Sequence, residues 1–211
     1  MFNWYETGNH LFLMAQWMLA LTLALFAKDR DKAITLSSRF LIGTVFALAS
    51  LWKWISPDFA SGSFFNFFFL HDFRMGPVAP LFSSLQLEDI RHNAQAVMAL
   101  SKQPTEVLLY LKSDPVIPIV SRYLALGAGI LETLVAVLFL LPSRQLSGWR
   151  DASLMVFVCG TYLIAPVSVF GVLLSAMGFA QAQHGLTRLG YLVLFFVVQV
   201  MGWRLWLVSV N

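Results

Sequence analysis

Apolar residues come along this chain in long blocks, separated by short polar breaks and one long one. Five blocks stand out: His10 to Ala27, Ile34 to Ile55, Pro118 to Leu141, Leu154 to Ala180, and Leu186 to Val210. Each is close to or beyond the roughly 20 residues a helix needs to cross a hydrocarbon layer of about 30 Å. Lipid offers no partner to an unpaired amide, so spanning segments are helices or a closed barrel. Unbroken apolarity, without strict alternation, selects helices. The pattern therefore predicts an all-α integral membrane protein. It is a single membrane domain over residues 1–211, a bundle of about five transmembrane helices with a helical extracytoplasmic loop at 56–115.

The breaks differ in character. Lys28 to Lys32 is a tight polar turn, Pro142 to Asp151 joins the third and fourth blocks, and Gln181 to Gly185 joins the last two. The long break, Ser56 to Pro115, holds Asp58, Asp72, Glu88, Asp89, Glu106 and Asp114. Within it, Leu87, Ile90, Ala94, Val97 and Met98 recur at helical spacing, and Glu88 and Asp89 supply an acidic first turn, so Ser83 to Leu100 is expected as a helix. A second short helix is expected from Pro104 to Lys112. The Pro57 turn should redirect the chain and lay the aromatic run SFFNFFFL along the outer interface.

Composition sharpens the class. Hydrophobic residues make up 58% and charged residues 12%, about half the share of a soluble domain. The net charge of +3 does not point to nucleic acid, because the basic residues stand singly beside apolar blocks. A bias of lysine and arginine toward cytoplasmic loops accounts for them. Lys28, Arg30, Lys32, Arg144 and Arg150 would share the cytoplasmic side, with the N-terminus outside and the C-terminus inside, in a bacterial inner (cytoplasmic) membrane. The lone cysteine, Cys159, excludes a disulfide framework and a thiolate metal cluster, and no metal site is expected.

Charged side chains inside apolar blocks cost about 2.5–3.5 kcal/mol each on insertion scales and call for a reason. Glu132 lies too deep in the third block to reach water, and Arg39 enters the second from the cytoplasmic end. They are expected to form a structural ion pair, with a proton-relay or ligand role as the other reading. Ala125, Gly127 and Gly129 favour a close helix approach nearby. Pro166 should kink the fourth block. Lys53, flanked by Trp52 and Trp54 with Asp58 beyond as a counter-ion, reads in two ways. It is an interfacial anchor, or a lysine whose dry aromatic surroundings fit it to act as a base.

Two stretches carry a family resemblance. RFLIGTVFALASLWKWISPDFASG (Arg39 to Gly62) and LALGAGILETLVAVLFLLP (Leu124 to Pro142) resemble the membrane superfamily of HTTM-domain, vitamin K-dependent γ-carboxylase and DoxX-like proteins. The first opens a span on arginine and closes it on lysine, followed by an acid, an aromatic and a glycine. VSVFGVLLSAMGF is similar less specifically. The carboxylase has adjacent lysines where this chain has Lys53 and Trp54, more spans before the motif, and a large extracytoplasmic domain. Carboxylation by this chain alone is therefore not expected, and the chain leans away from being an enzyme by itself.

What the resemblance implies is a bundle holding a quinone or hydroquinone near the outer leaflet, as an accessory subunit beside other membrane proteins. Lys53, His10, Gln16 and Tyr123 are the candidate cofactor contacts, since all four would lie toward the outer half. The alternative is a non-catalytic scaffold or assembly subunit of a larger membrane complex. Transport is the weaker third reading, because no inverted repeat is visible.

Overall fold

A computed structural model describes residues 9–102, 109–143, 145–164 and 168–210. Of these, the side chains of 9–10, 101–102, 162–164, 168 and 203–210 are outside the description. All regular structure among the described residues is helical: α1 (Asn9–Ala24), α2 (Arg30–Ile55), α3 (Pro57–Ala60), α4 (Ser63–His71), α5 (Leu87–Lys102), α6 (Val116–Leu140), α7 (Ser147–Ile164), α8 (Ser168–Gln181) and α9 (Gly185–Val210). Two short 3-10 turns, Phe73–Met75 and Ala79–Leu81, lie between α4 and α5. Among the described residues, three helices are long and apolar enough to cross a membrane: Arg30–Ile55, Val116–Leu140 and Gly185–Gly202. The described parts of the expected fourth span lie in α7 and α8, and Pro166, with its expected kink, lies outside the described residues.

The chain forms two compact units. The first comprises residues 1–50, 131–162 and 166–211, and the second comprises 51–130 and 163–165.

In the first unit, Asp29 starts α2 by accepting the Lys32 amide at 3.0 Å, as an N-cap does. The core gathers Leu13 and Trp17 of α1, Ile42 and Phe46 of α2, Val135 and Phe139 of α6, Leu154 and Val158 of α7, Leu174 and Met177 of α8, and Tyr191 of α9. Phe46 meets Phe157 edge-on at 4.6 Å. Ser50 and Thr133 share a hydrogen bond of 2.6 Å between α2 and α6, which satisfies two hydroxyls where water is scarce.

Arginines close the helix ends of this unit. The last carbonyls of a helix have no intrahelical donor and carry the negative end of its dipole. Arg39 donates from Nε to Phe139 O at 2.9 Å and from its terminal nitrogen to Leu141 O. Arg150, 3% exposed, donates to Leu138 O at 3.0 Å and Ser143 O at 2.9 Å. Arg188 donates to Ala182 O just beyond α8 at 3.0 Å.

Two expectations change here. Arg39 serves these carbonyls rather than the Glu132 carboxylate, which is buried seven residues, about 10 Å of helical rise, before Phe139. Arg150 is not a loop charge but a buried cap inside α7, because a guanidinium fork can satisfy several carbonyls at once.

In the second unit, the aromatic run folds as α4 and turns partly inward. Phe69 and Leu70 join Met75, Ala79, Leu85, Ile90 and Ile117 in a core, while Phe64 and Phe67 stay exposed. Asn93, 1% exposed, ties three segments together: its amide donates to Leu70 O and Lys112 O, each at 2.8 Å, and its oxygen accepts the Lys112 amide. The helix expected over Ser83 to Leu100 is α5, starting four residues later than expected because Asp89 accepts the Gln86 amide at 3.0 Å. The short helix expected over 104–112 is not there in its described part. Residues 109–112 run without regular structure, since Lys112 bonds to Asn93 instead, and 103–108 lie outside the described residues.

The loop carboxylates give this unit a pH dependence. Asp114 is held below its ordinary value by the Ser84 hydroxyl and amide and the Val116 amide, and Asp89 by the Lys112 ammonium and the Gln86 amide. A depressed folded-state pKa means stability that is fully present above the usual carboxylate range and lost as pH falls through the lowered values. Amide exchange of residues 84–93, corrected for intrinsic rate, is expected to stay flat from pH 7 to about pH 5 and to rise below about pH 4. In Asp114→Asn most of the rise should disappear; an unchanged profile in that variant would refute the assignment.

Candidate functional site

The second unit contains a partly open cavity of about 540 Å³. One wall is a stripe of α6. Ile119, Arg122, Tyr123 and Leu126 stand at spacings of three and four residues, so they share one helix face. Ala125, 3% exposed, gives that wall a small residue and leaves room. Facing it are Trp54, from the last turn of α2, and Phe59 of α3.

Local rules place each wall. Pro57 occupies the first turn of α3, where its missing N–H costs nothing, and so turns the chain back directly after α2. Gly62 then takes φ 82°, the left-handed region, as the residue preceding α4. A Cβ there would stand 2.7 Å from Arg122 Cα and 2.8 Å from Arg122 N. The turn is thus pressed against the α6 backbone at the residue that lines the cavity. Gly129 lies under Trp54 in the same way, with the indole 3.2 Å from where its Cβ would be. The small residues of α6 thus serve an aromatic ring as well as backbone approach; Gly127 has open space around it.

The candidate contacts distribute unevenly. Tyr123 is in the cavity wall and is 71% exposed. Lys53 is half-buried and is not in the lining, with Nζ 5.1 Å from the centre of the Phe59 ring, while Asp58, its expected counter-ion, is exposed. Gln16 is exposed on α1, which belongs to the first unit, so it is not part of this cavity. His10 lies in α1 with its side chain outside the described residues. Of the four candidates, Tyr123 alone is in the cavity lining, and Lys53 lies against its Phe59.

Sequence reasoning passed over two features. Arg122 lines the cavity, and its signal was the stripe it shares with Ile119, Tyr123 and Leu126. In the first unit, Asp151 accepts from the Tyr191 hydroxyl at 3.0 Å and from the Gln181 amide, and all three side chains are buried. This cluster joins α7, α8 and α9. Its members looked like loop residues and a span tyrosine, and nothing in their spacing relates positions 40 residues apart.

Compared with family models, curated proteins and solved structures, the chain matches none. The family resemblance therefore rests on the quoted motifs alone.

Proposed function

We propose that this chain is a small multi-pass helical membrane protein that holds a lipophilic ring compound, a quinone or hydroquinone, in the cavity beside Tyr123, as an accessory to other membrane subunits. The observation that carries this reading is the cavity itself. Aromatic walls with a few polar groups are what a ring with an oxygen at its edge requires. Trp54, Phe59 and Tyr123 supply faces for stacking, and the Tyr123 hydroxyl and Arg122 supply donors. Lys53, with Nζ 5.1 Å from the Phe59 ring centre, stands on the position the HTTM and DoxX-like resemblance marks. The bundle has five spans, with α7 and α8 together forming the fourth, in a bacterial inner membrane, N-terminus outside and C-terminus cytoplasmic.

Purification in a mild detergent followed by lipid extraction tests the reading. A quinone is expected at near one equivalent, falling several-fold in Tyr123→Ala. Lys53→Met should also lower it if the lysine contacts the ligand, whereas an anchor would leave retention unchanged in both Lys53→Met and Lys53→Arg. No quinone in the wild-type extract would end the quinone assignment. Topology is checked separately: a cysteine at Gln95 should react with an impermeant thiol reagent added outside, and one at Asp31 should not.

The scaffold reading keeps one observation of its own. α9 is largely unburied and presents Leu189, Val193, Phe196 and Val200 outward, a face suited to lipid or to a neighbouring helix.

A further inference from the structure

We propose that Arg122 makes the cavity selective for amphipathic anions, molecules with an apolar body and a carboxylate or phosphate head. The inference rests on the reading of the cavity as a ligand site and goes beyond a quinone as its occupant. Arg122 projects from the second turn of α6 into a wall otherwise made of Trp54, Phe59, Tyr123, Ile119 and Leu126. The described acids of the same unit are engaged elsewhere or exposed. Asp72 chelates Arg74, Asp89 pairs with Lys112, Asp114 accepts from Ser84 and Val116, and Asp58 and Glu88 are exposed. Among the described residues, no carboxylate pairs with Arg122.

Arg122 is exposed, and its guanidinium, in a lining shared with three aromatic residues and with no carboxylate partner among the described residues, is a poor neighbour for a purely apolar ligand and a strong one for an oxyanion. Its planar fork matches carboxylate and phosphate geometry, and a charge-assisted hydrogen bond is roughly twice as strong as a neutral one. The Tyr123 hydroxyl, next along the helix, can donate to the same head. A neutral quinone would occupy the same space through its ring but offer Arg122 only a carbonyl.

Trp54 reports on the site because it lines it. Full-length protein in phosphatidylcholine nanodiscs is titrated with brominated dodecyl phosphate and, separately, with brominated dodecanol. Fluorescence quenching is read as the difference from Trp54→Phe. The anion is expected to half-quench at a concentration roughly tenfold below that of the alcohol. Arg122→Gln should remove that gap while leaving the alcohol curve in place, which shows that the cavity is still formed. Equal curves in the wild type would overturn the selectivity and leave the cavity as a ligand site. Quenching by neither compound would overturn the ligand site itself, and the selectivity with it. Phosphatidylglycerol added to the disc shifts the anion curve to higher concentration if a lipid headgroup is the natural occupant, and leaves it in place if a free amphiphile is. Inorganic phosphate alone should shift nothing; a shift would mean that the apolar body is not required and would overturn the amphipathic class.

Discussion

Arg150→Ala is expected to lower stability by about 2–4 kcal/mol, measured as a shift in the sodium dodecyl sulfate fraction that unfolds the protein in mixed micelles. Its two short hydrogen bonds, to Leu138 O and Ser143 O, are charge-assisted and contribute roughly 1.5–3 kcal/mol each. The loss is smaller than their sum because unfolded segments in a micelle find other partners. A lysine cannot reproduce the fork, so Arg150→Lys should recover only about half of the loss. Arg39→Ala should cost less, since Arg39 is only half-buried. Both arginines reach Leu141 O, at 3.4 Å from Arg150, so their effects should not add. A stability within about 0.5 kcal/mol of wild type in Arg150→Ala would show that solvent satisfies these carbonyls and that the cap is dispensable.

The dependence on Arg150 also shows which part of the fold the sequence could and could not disclose. Long apolar blocks are a one-dimensional signal, and α1, α2, α6 and α9 lie where the blocks are. α5 was legible for the same reason, from Leu87, Ile90, Ala94 and Val97 on one face. The partner of a buried charge is a three-dimensional fact. Glu132 and Arg39 are charges within two successive apolar blocks, and pairing them satisfies both by the simplest rule. The chain instead gives Arg39 the carbonyls that α6 cannot satisfy itself. Charge counting also put Arg150 in a loop, because a basic residue beside an apolar block looks alike whether it faces water or caps a helix. The candidate site was half legible. Lys53 and Tyr123 lie close to Phe59 and in the lining respectively, but Arg122 stands out only through the α6 face it shares with that lining.

Gly62→Ala is the change expected to damage the cavity most directly. An L-residue at φ 82° carries a penalty of about 1–2 kcal/mol. The new methyl would also meet Arg122 Cα at 2.7 Å, Arg122 N at 2.8 Å and the Ser121 carbonyl carbon at 3.1 Å. All three are backbone atoms of α6, so no side-chain rotation relieves the contact, and overpacking of this kind typically adds about 1–3 kcal/mol. The turn must lift from α6, carrying Phe59 away from Tyr123. Gly62→Asn separates the two causes, because asparagine tolerates the left-handed region but keeps the Cβ. If the collision dominates, Asn and Ala should be similarly destabilised and should similarly lose quenching of Trp54 by brominated dodecyl phosphate. If strain dominates, Asn should lie close to wild type. Gly127→Ala is the control, since a Cβ there meets nothing within 4 Å and a helix interior prefers alanine by up to about 1 kcal/mol. Wild-type stability and wild-type quenching in Gly62→Ala would mean that the turn does not press on α6 and that the wall opposite Tyr123 is set by something else.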